Sequence, residues 1–260
     1  MAWHDDSEHP FAGIAAKLKR ADENIINLDS EIKLFIQSGK YPVLPYQDDE
    51  AWQEAMAYHR EKPIPLKLGV LAGEIVHHFR SCLDHIIWHF SIPNLTPKME
   101  NVIEFPIFEI DPYAIPTNKD RIKSFERKIQ GITNTNVLGL IKDMQPYAIG
   151  ADMADHGLLI IHNMDRFDKH RELVIVDSSV NINFPPNMLD YLVKAKLYTQ
   201  GELPESEHLA LSRAIQKDSK ATPSVGFRNF GKWSTYPVIK GLAELGQAVD
   251  NAVTAFASEV

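Results

Sequence analysis

A mainly α-helical fold, a bundle of four or more helices with a small β elaboration, is what this sequence predicts, on three observations. Four long segments carry apolar residues at three- and four-residue steps, the period of an amphipathic helix. The strongest, residues 66 to 91, sets Leu68, Ala72, Ile75, Phe79, Leu83, Ile86 and Phe90 on one stripe, so it is placed at the centre of the bundle. The β-branched and alternating stretches are short and separated by prolines, which suits attached strands rather than a large sheet.

In chain order, Pro10 to Gln37 repeats Ile14, Leu18, Ala21, Ile25, Leu28, Ile32 and Phe35 as a heptad seam, and Gly39 closes it. Residues 41–62 are expected to hold a β insertion; Pro42 and Pro45 keep its start extended, and Ala51 to His59 fits a helix or a strand. Pro63 and Pro65 lead into the central helix, where Gly69 and Gly73 suit close helix packing at a cost of roughly 1 kcal/mol each in helix propensity. After Pro93 and Pro97, residues 101–110 (NVIEFPIFEI) alternate as one or two short strands. Asp120 to Ile129 and Thr133 to Met144 are expected to be helical, the latter capped by Asn134 or Thr135 and stopped by Gln145-Pro146-Tyr147. Met153 to Phe167 makes a fourth substantial helix through Leu158, Leu159, Ile161 and Met164. Residues 173–184 (LVIVDSSVNINF within them) form a strand or hairpin. Gly201 to Arg228 is polar and turn-rich, with a short helix from Pro204 to Gln216. Val238 to Phe256 closes the bundle through Ile239, Leu242, Leu245, Val249, Val253 and Phe256.

The 260 residues, 44% hydrophobic and 24% charged, suit one large or two small domains, and a single domain over 1–260 with β insertions is expected. No run approaches the roughly 18 apolar residues of a membrane span, and MAWHDDSEHP lacks the basic and apolar regions of a signal peptide, so a cytoplasmic protein is expected. The single cysteine, Cys82, excludes an intrachain disulfide framework and a zinc site of several thiolates. A net charge of −8 argues against broad binding to nucleic acid, which rests on many cationic contacts to phosphate, but leaves room for a local basic site. The signatures of P-loop NTPases (G-x-x-x-x-G-K-S/T), dinucleotide-binding folds (G-x-G-x-x-G), serine hydrolases (G-x-S-x-G) and zincins (H-E-x-x-H) are absent.

Titratable side chains concentrate on the central helix. His78, Cys82, His85 and His89 share one edge, and the opposite flank carries His77, Arg80 and Asp84. Metal binding finds little support: Glu74 to His77 and Glu205 to His208 match E-x-x-H, but further inward glutamates are not evident, and one straight helix offers a metal only two ligands at i,i+4. No metal and no cofactor are therefore expected. A second candidate is Arg166 to Arg171 (RFDKHR), where Asp168, Lys169, His170 and Arg171 close the fourth helix. Cations in a last turn complement the helix dipole, so this cluster suits either a plain helix end or a phosphate-binding or structural network around the central helix.

Arg80-Ser81-Cys82-Leu83-Asp84-His85 has the form R-x4-H inside a bundle helix and so resembles the HEPN superfamily, whose motif is R-x4-6-H. The wider pattern from Gly73 to His85, with Glu104-Phe105-Pro106-Ile107, Gln145-Pro146-Tyr147 and Asp168-Lys169-His170-Arg171, looks like a family of uncharacterised bacterial proteins related to HEPN-like domains. Catalytic HEPN proteins are metal-independent endoribonucleases of toxin and antiviral-defence systems. The resemblance implies RNA as substrate, a homodimer, and Arg80 and His85 in the key roles. Asp84 is expected to position them, and His77, Ser81, Asp168, Lys169, His170 and Arg171 to bind substrate or support the site, although the Asp168 to Arg171 element has no counterpart in the HEPN motif. Ser81 departs from the Asn, Asp or His that usually follows the arginine.

The residue types suit the chemistry. Transesterification by a 2′-hydroxyl needs a proton acceptor and donor, for which histidine is suited near neutral pH, and a planar cation on the phosphorane. Five residues apart, Arg80 and His85 point roughly 140° from one another with a rise of about 7.5 Å and converge poorly on one phosphate; the two-fold dimer that the resemblance implies would solve this by supplying duplicated pairs to a shared cleft. Both lie off the main apolar stripe, and folding is expected to survive the loss of either. The competing expectation is a non-catalytic module, dimerising or RNA-sensing, that serves as a subunit of a larger defence or toxin system. The alternative for Arg80 and Asp84 is an ordinary i,i+4 helix pair.

Overall fold

The computed structural model describes residues 3–38, 44–45, 64–170, 177–183, 220–227 and 236–260, with positions 193, 196–197, 204–207, 210 and 233 between them. Among the described residues, six α-helices of nine residues or more carry the chain: α1 (Ala12–Ser38), α2 (Leu66–Ser91), α3 (Lys119–Lys128), α4 (Thr135–Asp143), α5 (Gly157–His170) and α6 (Val238–Ala257). The predicted bundle helices are thus present, each within a few residues of its expected bounds, and α2 matches to the residue. Three short strands, β1 (Leu44–Pro45), β2 (Asp177–Asn183) and β3 (Lys220–Gly226), form an antiparallel sheet in the order β1-β3-β2. The protein is a mainly α bundle with a small β element.

Where one domain is expected from the sequence, the chain groups into two compact units. The first is Met1–Asp29, Leu66–Ile175 and Ile239–Val260; the second is Ser30–Pro65 and Val176–Val238. The second unit contains the sheet, with Asp177 opposite Gly226 and Asn183 opposite Lys220. In the same unit Trp233 packs against Tyr236 at 5.0 Å and the buried Phe227 at 6.2 Å, ring centre to ring centre.

The first unit is built on α2. Leu68, Ala72, Ile75, Phe79, Leu83 and Ile86 of the predicted stripe are all buried, as are Ile14, Leu18, Ala21 and Leu28 of α1, Leu158, Leu159, Ile161 and Met164 of α5, and Leu242, Leu245, Val249, Val253 and Phe256 of α6. Small residues let these helices approach closely. A Cβ on Gly246 of α6 would lie 3.0 Å from the Phe79 ring, and one on Gly157 of α5 would lie 2.9 Å from Ala248. At Gly73 an added Cβ would come within 2.6 Å of the Asp168 carboxylate, so α2 and α5 meet where α2 has no side chain. Gly73→Ala is expected to change stability by less than about 1 kcal/mol, since the Asp168 carboxylate can turn aside and the gain in helix propensity offsets that displacement. A thermal melt decides it: a loss well beyond about 1 kcal/mol would mean that Asp168 is held in place and that its approach to Gly73 constrains the crossing.

Asn134 caps α4 as expected, its side chain accepting from the backbone N–H groups of Asn136 and Val137. Two expectations need correction. Residues 101–110 form no strand. Their backbone groups bond instead to side chains and to a helix end: the Phe105 N–H to Asp84, the Phe105 carbonyl to Arg80, the Pro106 carbonyl and Phe108 N–H to Gln145, and the Glu104 N–H to the Lys128 carbonyl. An alternating pattern records burial of one face and does not say whether the backbone partner is another strand. Conversely, Lys220–Gly226 lies in a stretch expected to be turn-rich, yet it is β3; a segment rich in Pro, Ser and Gly becomes a strand because β2 supplies its ladder. Within the insertion expected at 41–62, only β1 is described, and Ala51 to His59 lies outside the described residues. The same holds for most of Pro204 to Gln216, of which Glu205 to Glu207 are helical.

Candidate functional site: the polar seam between α2 and α5

Two rows of polar residues flank the α2–α5 contact. On α2, the three- and four-residue steps from His77 to Arg80 to Asp84 keep these side chains on one edge, and on α5 the same spacing aligns His162, Asp165 and Lys169. Burial of Ile75, Phe79, Ile161 and Met164 in the core fixes the rotation of both helices and so turns the two rows toward the seam.

At its centre is a histidine–carboxylate–lysine chain. The Asp165 carboxylate, with 9% of its side chain exposed, contacts His77 Nδ1 at 3.1 Å through one oxygen and Lys169 Nζ at 2.7 Å through the other. His77 is more than half exposed, so Nε2 is the nitrogen left for another molecule. Asp168 lies one turn along, over Gly73. His162 sits beside this group. Burial first, then the positive charges of Arg80, Lys128 and Arg166, push its pKa down to about 4, which keeps it neutral near neutral pH.

Arg80 belongs to a different task. It is 3% exposed, and its Nη2 bonds the Phe105 carbonyl at 2.9 Å, Asp84 at 2.7 Å and Glu104 at 3.5 Å; Lys128 also pairs with Glu104. Its Nη1 is buried with no partner among the described residues. Asp84 accepts the Phe105 N–H at 2.9 Å, and desolvation raises its carboxyl above the usual range against the opposing pull of Arg80. Gln145, fully buried, holds the next turn of the same segment, donating to the Pro106 and Ile141 carbonyls and accepting from the Phe108 N–H. The motif residues Arg80, Asp84, Glu104 to Pro106 and Gln145 are thus one clamp around an extended segment.

Within the chain, Arg80 and His85 do not meet. His85 is exposed on the side of α2 that faces α1, where it lines a hollow of about 170 Å³ with Phe11, Ile14, Trp88 and His89; burial and then Lys17 lower its pKa. Arg80, expected to lie off the main stripe and to be dispensable for folding, is sealed by residues 104–106, which the helical pattern of α2 cannot reveal. Ser81 is half-buried on the adjacent turn. Asp168 and Lys169 join the seam, whereas the side chain of His170, and all of Arg171, lie outside the described residues.

Cys82 is buried, its thiol 3.9 Å from the Ile14 carbonyl and pushed up to about 12, which leaves it unreactive at neutral pH. Among the described residues no group of three or more His, Cys, Asp or Glu side chains could hold a metal ion, and no helix is long and apolar enough to cross a membrane. Two functional candidates were missed in the sequence, Asp165 and His162. Their spacing with Lys169 was visible as a second polar row on α5, but nothing in that row named α2 as its partner. No protein-family model matches this chain, and no curated protein or solved structure does.

Proposed function

We propose that the protein is an HEPN-like, metal-independent endoribonuclease whose proton acceptor is His77 rather than the motif histidine. One observation carries this reading: a buried carboxylate holds Nδ1 of an exposed imidazole, the arrangement that fixes the ring's tautomer and orients Nε2 toward a substrate. In the proposed reaction, Nε2 takes the proton of the RNA 2′-hydroxyl, the 2′-oxygen bonds to phosphorus, and the P–O5′ bond breaks to leave a 2′,3′-cyclic phosphate. Lys169 and Arg166, both exposed beside the dyad, offer charge to the phosphate. A homodimer, as the resemblance implies, would set a second dyad across the strand to protonate the leaving 5′-oxygen. We place the activity in the cytoplasm, as part of a toxin or antiviral-defence system, which suits the lone unpaired thiol.

A second reading is favoured by Arg80. Its guanidinium, the cation that the R-x4-H motif would offer to phosphate, is sealed inside the fold, which supports a non-catalytic dimerising or RNA-sensing module of a larger system. RNA cleavage by the purified full chain in EDTA separates the two. The nuclease reading expects turnover that falls by about 100-fold or more in His77→Ala, the scale of a lost acid–base group, and by less than about threefold in His85→Ala. RNA binding without turnover supports the module. Equal losses in both variants would return the role to the motif histidine.

A further inference from the structure

Away from the seam, the first unit holds a larger cleft, about 830 Å³, between the N-terminal turn, α1 and α6. That volume is in the usual range of small-molecule sites. Its walls are made of small residues, Ala12, Ala15 and Ala16 from α1 and Ala243 and Gly246 from α6, over the ring of Phe79 from α2. Alanine and glycine on facing helices leave space that longer side chains would fill, and here they leave it at the surface, beside the exposed Ile26.

The rim is acidic. Asp5, Asp6, Asp22 and Asp250 line the cleft, against Lys19 and His4 as its basic members. His4 Nε2 contacts Asp250 at 2.6 Å, and Asp6 accepts the Glu8 N–H, so two of the four carboxylates have partners within the cleft's own rim or turn. Asp22 is exposed, with no such contact, and faces the same space as Asp250. We propose that this cleft binds a small organic cation, an alkyl ammonium whose apolar body lies along the alanine-lined walls and whose charged end sits at Asp22 and Asp250. Burial and the charge of Asp250 both raise the Asp22 carboxyl above its usual range, a repulsion that a seated ammonium would relieve. The charge-assisted hydrogen bonds available to an ammonium here are what an alcohol of equal length lacks.

Calorimetric titration of the full chain with hexylammonium, hexanol and hexanoate tests this. Hexylammonium is expected to bind at least about tenfold more tightly than hexanol, and hexanoate least, since only the ammonium can donate charge-assisted hydrogen bonds to the rim carboxylates. Asp22→Asn should erase that preference without lowering the melting temperature. Ala16→Trp, a substitution at an exposed wall position, should abolish binding of all three. Equal binding of hexylammonium and hexanol, or an undiminished preference in Asp22→Asn, overturns the proposal. So does a basic amphipathic peptide that binds more tightly than hexylammonium and is blocked by Ala16→Trp, because the cleft would then be a protein-docking groove.

Discussion

Arg80→Ala is expected to destabilise the protein by about 3 kcal/mol, the low end of the cost of breaking a buried ion pair, because the guanidinium is sealed while its partners Asp84 and Glu104 keep contact with water. The loss leaves the Phe105 carbonyl without its donor and Asp84 without its cation, in a place where desolvation already disfavours the carboxylate. For a chain of this length the melting midpoint should drop by roughly 10 °C. Arg80→Lys should recover only part of that, because an ammonium cannot span Asp84, Glu104 and a carbonyl in the plane of a guanidinium. A midpoint within about 2 °C of the native value in Arg80→Ala would show that the clamp on residues 104–106 does not depend on this side chain. It would also return Arg80 to the functional candidates.

Asp165→Asn should have the larger effect on activity. The amide keeps the size of the carboxylate but offers His77 Nδ1 and Lys169 Nζ no charge, and its NH2 can force the opposite imidazole tautomer. Where a buried carboxylate serves a catalytic histidine elsewhere, the same exchange lowers the rate by about 10⁴, and on the proposed mechanism a loss on the order of 10³ or more is expected here. The fold should persist, since His77 and Lys169 are both largely exposed and can turn to water. Single-turnover cleavage of RNA, beside a melt of the same sample, gives the answer. A folded Asp165→Asn protein with native cleavage would remove the dyad from the mechanism. Lost cleavage together with a collapsed melting curve would assign Asp165 to stability instead.

The motifs that the sequence offered as chemistry divide in the structure into clamp and seam. Arg80 and Asp84 on α2 are far from Gln145 in sequence, yet each of the three satisfies a backbone group of the extended segment at Phe105 and Pro106, and a residue pattern cannot tell such a clamp from an active site because both require polar side chains with fixed partners. Lys169, for which the sequence left open a plain terminal cation or a network around the central helix, joins such a network across two helices through Asp165.

The sequence by itself determined the long helices, their apolar stripes, a cap at Asn134 or Thr135, and the mainly α class with a small β element, because helical periodicity and capping are local properties written every three or four residues. Tertiary structure alone decided that α2 and α5 cross at Gly73, that Asp165 reaches His77, that Arg80 is sealed while His85 faces α1, and that Lys220–Gly226 becomes a strand. Each of these depends on which face of one element meets which face of another. Periodicity gives every helix a face to bury, but it does not choose the neighbour that buries it.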